Sequence, residues 1–289
     1  MRTALILFAL LPALLAPLAA IAAELKVATW NLEWLTLRSA GDRALPRNVT
    51  PKDAESRAVL RRYAEDLAAD VVAMQEVDGP EAAITVFPAP RYVLHFTRDR
   101  IVQRVGFAVR AGLRFTANPD LATLNVTPDA PNPLRAGADI TIETPGGRLR
   151  LLNVHLKTGC REDRMERSSR QQCDQLRLQL VALQGWIAQR RQEGVPFVLL
   201  GDFNRWMDAR EGFYAGLQGT GPLARATEGR SSPCWGGGGF ISHIIAGGAA
   251  RGWMQADTLR VLVYRETGAQ AKANLSDHCP ISVRFDLPD

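Results

Sequence analysis

The sequence predicts an α/β protein, on three observations. Short β-branched or apolar runs of strand length recur along the chain, two longer segments have helical periodicity, and each predicted helix leads into a strand. No internal repeat interrupts this alternation. The 289 residues are 46% hydrophobic and 22% charged, which is ordinary for a globular protein and excludes a disordered, coiled-coil or collagen-like chain.

Ten segments have the β-branched or apolar content expected of strands, and turn-forming or polar residues separate them. The predicted strands are residues 25–31, 70–77, 92–96, 105–109, 138–143, 149–156, 197–201, 240–245, 260–264 and 281–285. The proline cluster at 128–133 and the glycine run at 236–239 interrupt the pattern only briefly, and we interpret both as internal loops.

Two segments predict helices. The first begins at Thr50-Pro51-Lys52-Asp53, a capping-box pattern with proline at the first helical position, and continues through residue 67. The second covers about residues 169–192, with Gly194 just past its end. Its apolar stripe consists of Cys173, Leu176, Leu180, Leu183 and Ile187.

The first residues have the pattern of a secretory signal peptide. Arg2 precedes an uncharged run rich in Leu and Ala, which ends in small residues before Glu24. Pro12 and Pro17 favour this interpretation over an uncleaved membrane anchor. We therefore predict a signal peptide at residues 1–22, a single domain at 23–289, and a secreted or periplasmic protein. No later run is long enough to cross a bilayer, so we expect no stable membrane association, and we expect a monomer.

Export would place the four cysteines in an oxidising compartment, where disulfides are the default, and their spacing matches no zinc pattern. Three pairings are possible. We favour Cys160 with Cys173 and Cys234 with Cys279, because the first pair closes a short loop. Four buried unpaired thiols are the alternative.

Polar residues follow or flank five of the apolar runs, at the positions where binding residues usually collect. Each segment alone is also compatible with a structural role, such as an Asx turn at Asp202, a capped carboxylate at Glu76 or a core imidazole at His155. Together they would supply oxygen ligands for a hard cation and two imidazoles for proton transfer or phosphate contact. The segments are Thr29-Trp30-Asn31-Leu32-Glu33, Gln75-Glu76-Val77, Asn153-Val154-His155, Gly201-Asp202-Phe203-Asn204 and Ser276-Asp277-His278-Cys279-Pro280.

In order and spacing, these segments resemble the endonuclease/exonuclease/phosphatase superfamily, which includes pancreatic deoxyribonuclease and the abasic-site endonucleases. The resemblance covers residues 25 to about 285. It implies a four-layer α/β sandwich of two packed mixed β-sheets flanked by helices. It also implies a divalent-metal phosphodiester hydrolase that uses Mg2+, with Mn2+ or Ca2+ as alternatives.

The resemblance implies a metal site at Glu76, the principal Mg2+ ligand, with Asn31, Glu33 and Asp277 around the ion. These are carboxylate and amide side chains, the ligands that a hard cation prefers.

The resemblance also assigns the groups that would act on the phosphate. Asp202 corresponds to the residue that orients or deprotonates the attacking water, and Asn204 to the amide that holds the water or the phosphate. His155 and His278 correspond to the pair that contacts the scissile phosphate. Arg135 resembles the phosphate-binding arginine.

One residue departs from the family pattern. The strand before the last motif usually contains an aspartate that orients the final histidine, and here Ser242 takes that position. A hydroxyl can orient the His278 ring but brings no charge to it, so we expect weak native activity.

The net charge of +5 and a set of arginines near the motifs favour an anionic polymer as substrate, so the first hypothesis is a nuclease that hydrolyses DNA or RNA. The alternatives are a lipid or small-molecule phosphoesterase, for which Trp206 and Trp235 provide no clear membrane hairpin, and a phosphate-binding module that has lost catalysis. The arginines are residues 98, 100, 104, 161, 164, 167 and 170.

Overall fold

The computed structural model describes residues 23–162, 164–165, 167–207 and 212–288, so the predicted signal peptide lies outside the described residues. The twelve strands found in them are β1 (Glu24–Leu35), β2 (Val71–Val77), β3 (Tyr92–Phe96), β4 (Arg104–Arg110), β5 (Phe115–Ala117), β6 (Ala138–Thr144), β7 (Gly147–His155), β8 (Phe197–Asp202), β9 (Leu223–Arg225), β10 (Ser242–Gly247), β11 (Met254–Val261) and β12 (Ile281–Asp286). They form two mixed sheets of six strands, in the orders β11-β12-β1-β2-β4-β3 and β5-β6-β7-β8-β10-β9.

Helices flank the sheets. They are α1 (Ala54–Leu67), α2 (Pro80–Ala83), α3 (Gln171–Gln192), α4 (Gly212–Gln218), α5 (Ala250–Trp253) and α6 (Gly268–Asn274), with 3-10 turns at Ala122–Leu124 and Cys234–Gly236. In the part of the chain that the structure describes, no helix combines the length and hydrophobicity needed to span a bilayer.

Alternation along the strands produces the four layers that the resemblance implied. In β7, Leu151 faces the core between the two sheets, whereas the next residue, Leu152, packs against α3. In β2, Ala73 faces the same central core and Met74 packs on the side of α1. The predicted sandwich is therefore confirmed, with α1 and α3 as its principal outer helices.

The strand directions bring the polar motifs to one edge. β1 runs parallel to β2, and β7 runs parallel to β8, so the carboxyl ends of each pair lie side by side. A buried amide joins the two sheets just below this edge. Asn153 donates to the carbonyls of Met74 (2.8 Å) and Gly106 (2.7 Å) and accepts from Gln75 (2.7 Å). Because unpaired buried polar groups are costly, this cluster fixes the register of the sheets against each other.

The first helix begins later than predicted. Asp53, not Thr50, is its N-cap, with its Oδ1 accepting from the backbone N–H of Ser56 at 2.7 Å. Pro51 therefore lies outside the helix, and the side chain of Lys52 is buried instead of lying on the first turn. The carboxylate of Asp53 is as good a cap as the Thr50 hydroxyl, and sequence alone did not distinguish the two. The second helix is confirmed, although it begins at Gln171, and its predicted stripe is buried.

The predicted strand at 260–264 was wrong in its bounds, because β11 covers Met254–Val261. The alternation of apolar and polar residues in this edge strand breaks at Asp257-Thr258, inside a register shift between Gln255 and Arg260, so its sequence has a weak β pattern. The three-residue strands β5 and β9 were not predicted, since they are too short to show a period.

The structure joins Cys160 to Cys173 and Cys234 to Cys279, the pairing that the sequence favoured. The first bond ties the loop after β7 to the first turn of α3, and the second ties the turn before β10 to the loop before β12. Both bonds therefore hold loops at the edge of the sheets that carries the polar motifs.

Replacing each cysteine pair with alanines should lower the free energy of unfolding, and by more for the longer loop. The loops span 13 and 45 residues, respectively. Loop-closure entropy predicts losses of about 3 kcal/mol for Cys160/Cys173 and about 4 kcal/mol for Cys234/Cys279. Urea unfolding of the oxidised variants measures both, and midpoints equal to that of the parent protein would contradict the assigned bonds.

Candidate functional site

Two carboxylates from different sheets meet at the shared edge. Asn31, at 1% exposure, donates through Nδ2 to Glu76 Oε1 and to Asp202 Oδ2, each at 3.0 Å. The second oxygen of Glu76 accepts from Gln103 Nε2 at 2.5 Å. Burial raises the pKa of Glu76, and the charge of Asp202 raises it further, whereas the bonds from Asn31 and Gln103 oppose the shift.

The backbone is strained where these side chains converge. Glu33, Trp34, Glu76 and Asn204 have positive φ angles of 41°, 55°, 58° and 51°, respectively, although none is glycine. Register shifts follow Asn31 in β1 and Met74 in β2, so both strands bulge just before or at these residues. Such conformations cost about 1–3 kcal/mol each and collect at functional sites, where they direct side chains that a regular strand would direct elsewhere.

His155 and Arg135 form a buried wall beside the carboxylates. His155 Nε2 lies 3.6 Å from both Glu76 Oε1 and Asp202 Oδ2. Burial, reinforced by Arg135, lowers the pKa of His155 well below its usual value, so this imidazole is neutral at neutral pH. Among the described residues, neither Nδ1 of His155 nor Nε of Arg135 has a hydrogen-bond partner. An anionic ligand would pair the free guanidinium donor.

His278 completes the other side of the site. Its Nε2 lies 3.5 Å from Asp202 Oδ2 and 3.7 Å from Asp277 Oδ1. Its Nδ1 faces the Ser242 hydroxyl at 3.3 Å, which places Ser242 where the resemblance expected an orienting residue. The ring is also held through its backbone, because Tyr264 Oη donates to the His278 carbonyl at 2.9 Å.

Asn204 is placed by Asp202 itself. Its backbone N–H donates to Asp202 Oδ1 at 2.8 Å, and its Nδ2 donates to the Leu156 carbonyl at 3.1 Å. The turn expected at this position is therefore present, and it holds a carboxylate and an amide together at the end of β8. The segment from Asp202 to Asn204 can therefore form an Asx turn and also present both side chains to a substrate.

The remaining two predicted ligands contact each other. Asp277 donates its backbone N–H to Glu33 Oε2 at 2.9 Å. Burial and the nearby charge of Asp277 raise the pKa of Glu33, whereas the charge of Lys52 opposes the rise. Lys52 is 4% exposed and donates to the Glu33 carbonyl at 2.5 Å.

The residues present fit a divalent cation. The buried carboxylate of Asp202 and the partly buried one of Glu76 share one amide donor, and like charges this close need a compensating positive group. The carboxylate and amide set of Glu76, Asn31, Glu33 and Asp277 has the chemistry of a hard-ion site. In the described chain, no three His, Cys, Asp or Glu side chains are already arranged as a metal cage.

The sequence did not indicate two residues at the site, Gln103 and Lys52. Gln103 belongs to no motif and reaches Glu76 because it directly precedes β4, which pairs with β2 at Arg104 and Val77. Lys52 had one signal, the scarcity of lysine in a chain rich in arginine, and that signal did not indicate a position.

The flanking arginines separate into two groups. Arg98, Arg100 and Arg104 line a groove of about 940 Å3 that includes Arg135 and Lys157. Arg161 lines a different cavity, beside His278. Of the seven predicted arginines, three therefore line the groove, one lines the second cavity, and Arg164, Arg167 and Arg170 line neither.

Comparisons with known proteins agree with this architecture. The model of the Endonuclease/Exonuclease/phosphatase family matches residues 28–278. TDP2 from Caenorhabditis elegans, in truncated form, is 13% identical with a TM-score of 0.60, over 91% of this chain and 98% of that chain. The 3'-5' exonuclease NExo from Neisseria meningitidis is 18% identical with a TM-score of 0.59, over 91% and 100% of the two chains, respectively.

The AP endonuclease LMAP from Leishmania major is 13% identical with a TM-score of 0.61, over 92% of this chain and 88% of that chain. At these identities the likeness shows a shared fold. No curated protein sequence matches the chain at a significant level.

Proposed function

The chain belongs to the endonuclease/exonuclease/phosphatase family, and from that premise we propose that it is a divalent-metal phosphodiester hydrolase that acts on DNA or RNA. The basic groove beside the candidate site is the main observation in favour of a nucleic-acid substrate. Among the described residues, seven cationic side chains line it, against the two carboxylates of Asp78 and Asp99. The cationic residues are Arg38, Arg43, Arg98, Arg100, Arg104, Arg135 and Lys157.

The charge of this groove suits a chain of phosphates. Lys and Arg contacts to successive phosphates supply most of the sequence-independent affinity for nucleic acid. Arg38 is paired with Asp78 at 2.7 Å, so its charge is partly neutralised, whereas Arg135 has a buried donor free for an anion. A solved structure of NExo from Neisseria contains a product DNA hairpin, which supports a nucleic-acid substrate for this fold.

The chemistry follows from the charges of the site. A phosphodiester resists hydroxide because both are anionic, so catalysis requires positive groups on the phosphate oxygens. Mg2+, held by Glu76 with Asn31, Glu33 and Asp277, would supply Lewis-acid charge to one phosphate oxygen.

The remaining groups act on water and phosphate. In the proposed reaction, Asp202 orients the attacking water and accepts its proton, and Asn204, which contacts Asp202, holds that water or the phosphate. His155, neutral because of its burial, contributes a hydrogen bond rather than a charge. Arg135 and His278 contact the remaining phosphate oxygens.

A panel of substrates tests the proposal. Plasmid DNA, RNA, bis-p-nitrophenyl phosphate and sphingomyelin are incubated with Mg2+ and the protein, with Asp202→Asn as the inactive reference. Turnover of DNA or RNA is expected. Hydrolysis of sphingomyelin alone would favour the lipid phosphoesterase, and no turnover of any substrate would favour a module without catalysis.

The Ser242→Asp variant should be more active than the parent protein. A carboxylate at this position would face His278 Nδ1, now 3.3 Å from the Ser242 hydroxyl, and would stabilise the charged ring. We expect kcat to rise roughly tenfold, well below the ~10,000-fold effect of the corresponding carboxylate in a serine-protease triad. Ser242→Asn is the matched neutral control. An unchanged or lower kcat in a folded Ser242→Asp protein would show that His278 needs no charged partner there.

We also propose that residues 23–289 form one exported domain that functions as a monomer. Two disulfides support export, since such bonds persist mainly outside the reducing cytosol. Fractionation of the producing cells tests export, and the mass of the mature chain tests the removal of residues 1–22. Light scattering tests the oligomeric state.

A further inference from the structure

A second cavity, of about 270 Å3, adjoins the candidate site and shares no lining residue with the basic groove. His278, Asp277 and Ser242 lie on its wall, and two indoles, Trp206 and Trp235, line it further out. Its volume is below the roughly 300–1,000 Å3 of pockets for drug-sized ligands, so it suits a single ring system.

Trp235 is fixed in place relative to residues 276–279, the loop that carries His278. Its ring stacks on Tyr264 with centroids 5.2 Å apart and an interplanar angle of 28°, and its Nε1 donates to the Ser276 carbonyl at 2.8 Å. The neighbouring Cys234 is bonded to Cys279, which directly follows His278. The φ of Trp235 is 48°, a strained value of the kind that concentrates at functional sites.

Trp206 is placed by the glycine run that the sequence showed as a loop. A Cβ on Gly239 would lie 2.8 Å from Trp206 Cδ1, so only glycine lets this indole lie so close to the loop. The backbone N–H of Trp206 donates to the Arg161 carbonyl at 3.0 Å, which holds together the backbones of two residues that line the cavity. Both indoles are partly exposed, so a ligand in the cavity can reach them.

We propose that this cavity binds one nucleobase of the substrate, the base on a nucleotide next to the scissile phosphate; this inference rests on the proposed nuclease function. Aromatic side chains hold bases by stacking, which contributes about 1–3 kcal/mol per base with little dependence on sequence. Arg161 and Lys272, also on the cavity wall, attract the adjoining phosphate.

The proposal specifies the form of the substrate. A base in the cavity is out of the helical stack and unpaired, which is costly in a duplex and nearly free in a single strand. The protein therefore prefers single-stranded nucleic acid, or unpaired ends, over intact duplex.

Matched oligonucleotides test the inference. Two single strands of the same sequence are compared, one intact and one with a tetrahydrofuran abasic residue next to the scissile phosphate. The parent protein should cleave the intact strand with roughly 5- to 100-fold higher kcat/KM. Trp206→Ala should reduce this ratio to near one, Trp206→Phe should retain most of it, and Trp253→Phe, remote from the cavity, should leave it unchanged.

Two outcomes would overturn the inference while leaving the proposed function intact. The first is a parent protein that does not discriminate in favour of the intact strand, and the second is a Trp206→Ala variant that slows cleavage of both strands equally. If neither strand is cleaved, the proposed function fails. The cavity can still be tested by comparing the binding of AMP with that of ribose 5-phosphate, each followed by tryptophan fluorescence. Of the two ligands, only AMP should quench the tryptophan fluorescence of the parent protein. Equal quenching by both ligands would refute the base site.

Discussion

Asp202→Asn should lower kcat by roughly three orders of magnitude, because a positioned general base contributes about 100- to 10,000-fold. Asp202 is 1% exposed at the point where Asn31, His155 and His278 converge. The amide preserves the size of the side chain and an acceptor for the backbone N–H of Asn204, so the fold should be retained. Steady-state hydrolysis of bis-p-nitrophenyl phosphate measures the loss.

The matched control is Asp257→Asn, the same chemical change on an exposed strand residue away from the site. That variant should retain the parent rate. If Asp202→Asn also retained it, Asp202 would not be the group that activates water.

Glu76→Gln should weaken Mg2+ binding without destabilising the metal-free protein. Without metal, the parent protein buries a carboxylate whose pKa is raised by that burial, so neutralising it should leave Tm unchanged or raise it. With Mg2+ at about 100 times its Kd, the parent protein should gain about 2.7 kcal/mol, and the variant should gain far less. Its kcat should fall by roughly two or more orders of magnitude.

The free energy of unfolding of the metal-free protein should fall as the pH rises through the raised pKa of Glu76. A carboxyl with a raised folded pKa holds its proton longer in the native state than in the unfolded state. The stability linked to Glu76 is therefore present below the ordinary value of 4.5 and is lost as pH rises through the higher folded pKa. Urea unfolding across this range should show a larger loss in the parent protein than in Glu76→Gln, which keeps only the contribution of Glu33, whose pKa is also raised. Equal slopes for the two proteins would contradict the assigned pKa direction.

The sequence could predict the fold because its strands are strongly apolar runs that end at polar residues. Those runs placed Asn31, Glu76, His155 and Asp202 at strand ends, and parallel pairing then brought these ends to one edge. The family resemblance, not the sequence pattern, predicted that the two sheets meet at this edge, because the hydrophobic periodicity of a strand does not indicate how one sheet packs on another.

The sequence could not predict the contacts that depend on loop conformation. Gln103 reaches Glu76 from an irregular loop, and Lys52 turns inward because Asp53 rather than Thr50 caps α1. The positive φ angles of Glu33 and Glu76 were equally unpredictable, because neither residue favours that region on its own. These positions are set by tertiary contacts that override local preference.

Metal-stripped protein is titrated with Mg2+ while calorimetry follows binding and oligonucleotide hydrolysis follows the rate in the same sample. We expect activity to be absent after chelation and to rise with the binding isotherm, and Glu76→Gln to weaken binding and rate together. Full hydrolysis in excess chelator, or a rate that does not follow Mg2+ occupancy, would contradict a metal-dependent phosphodiester hydrolase at this site.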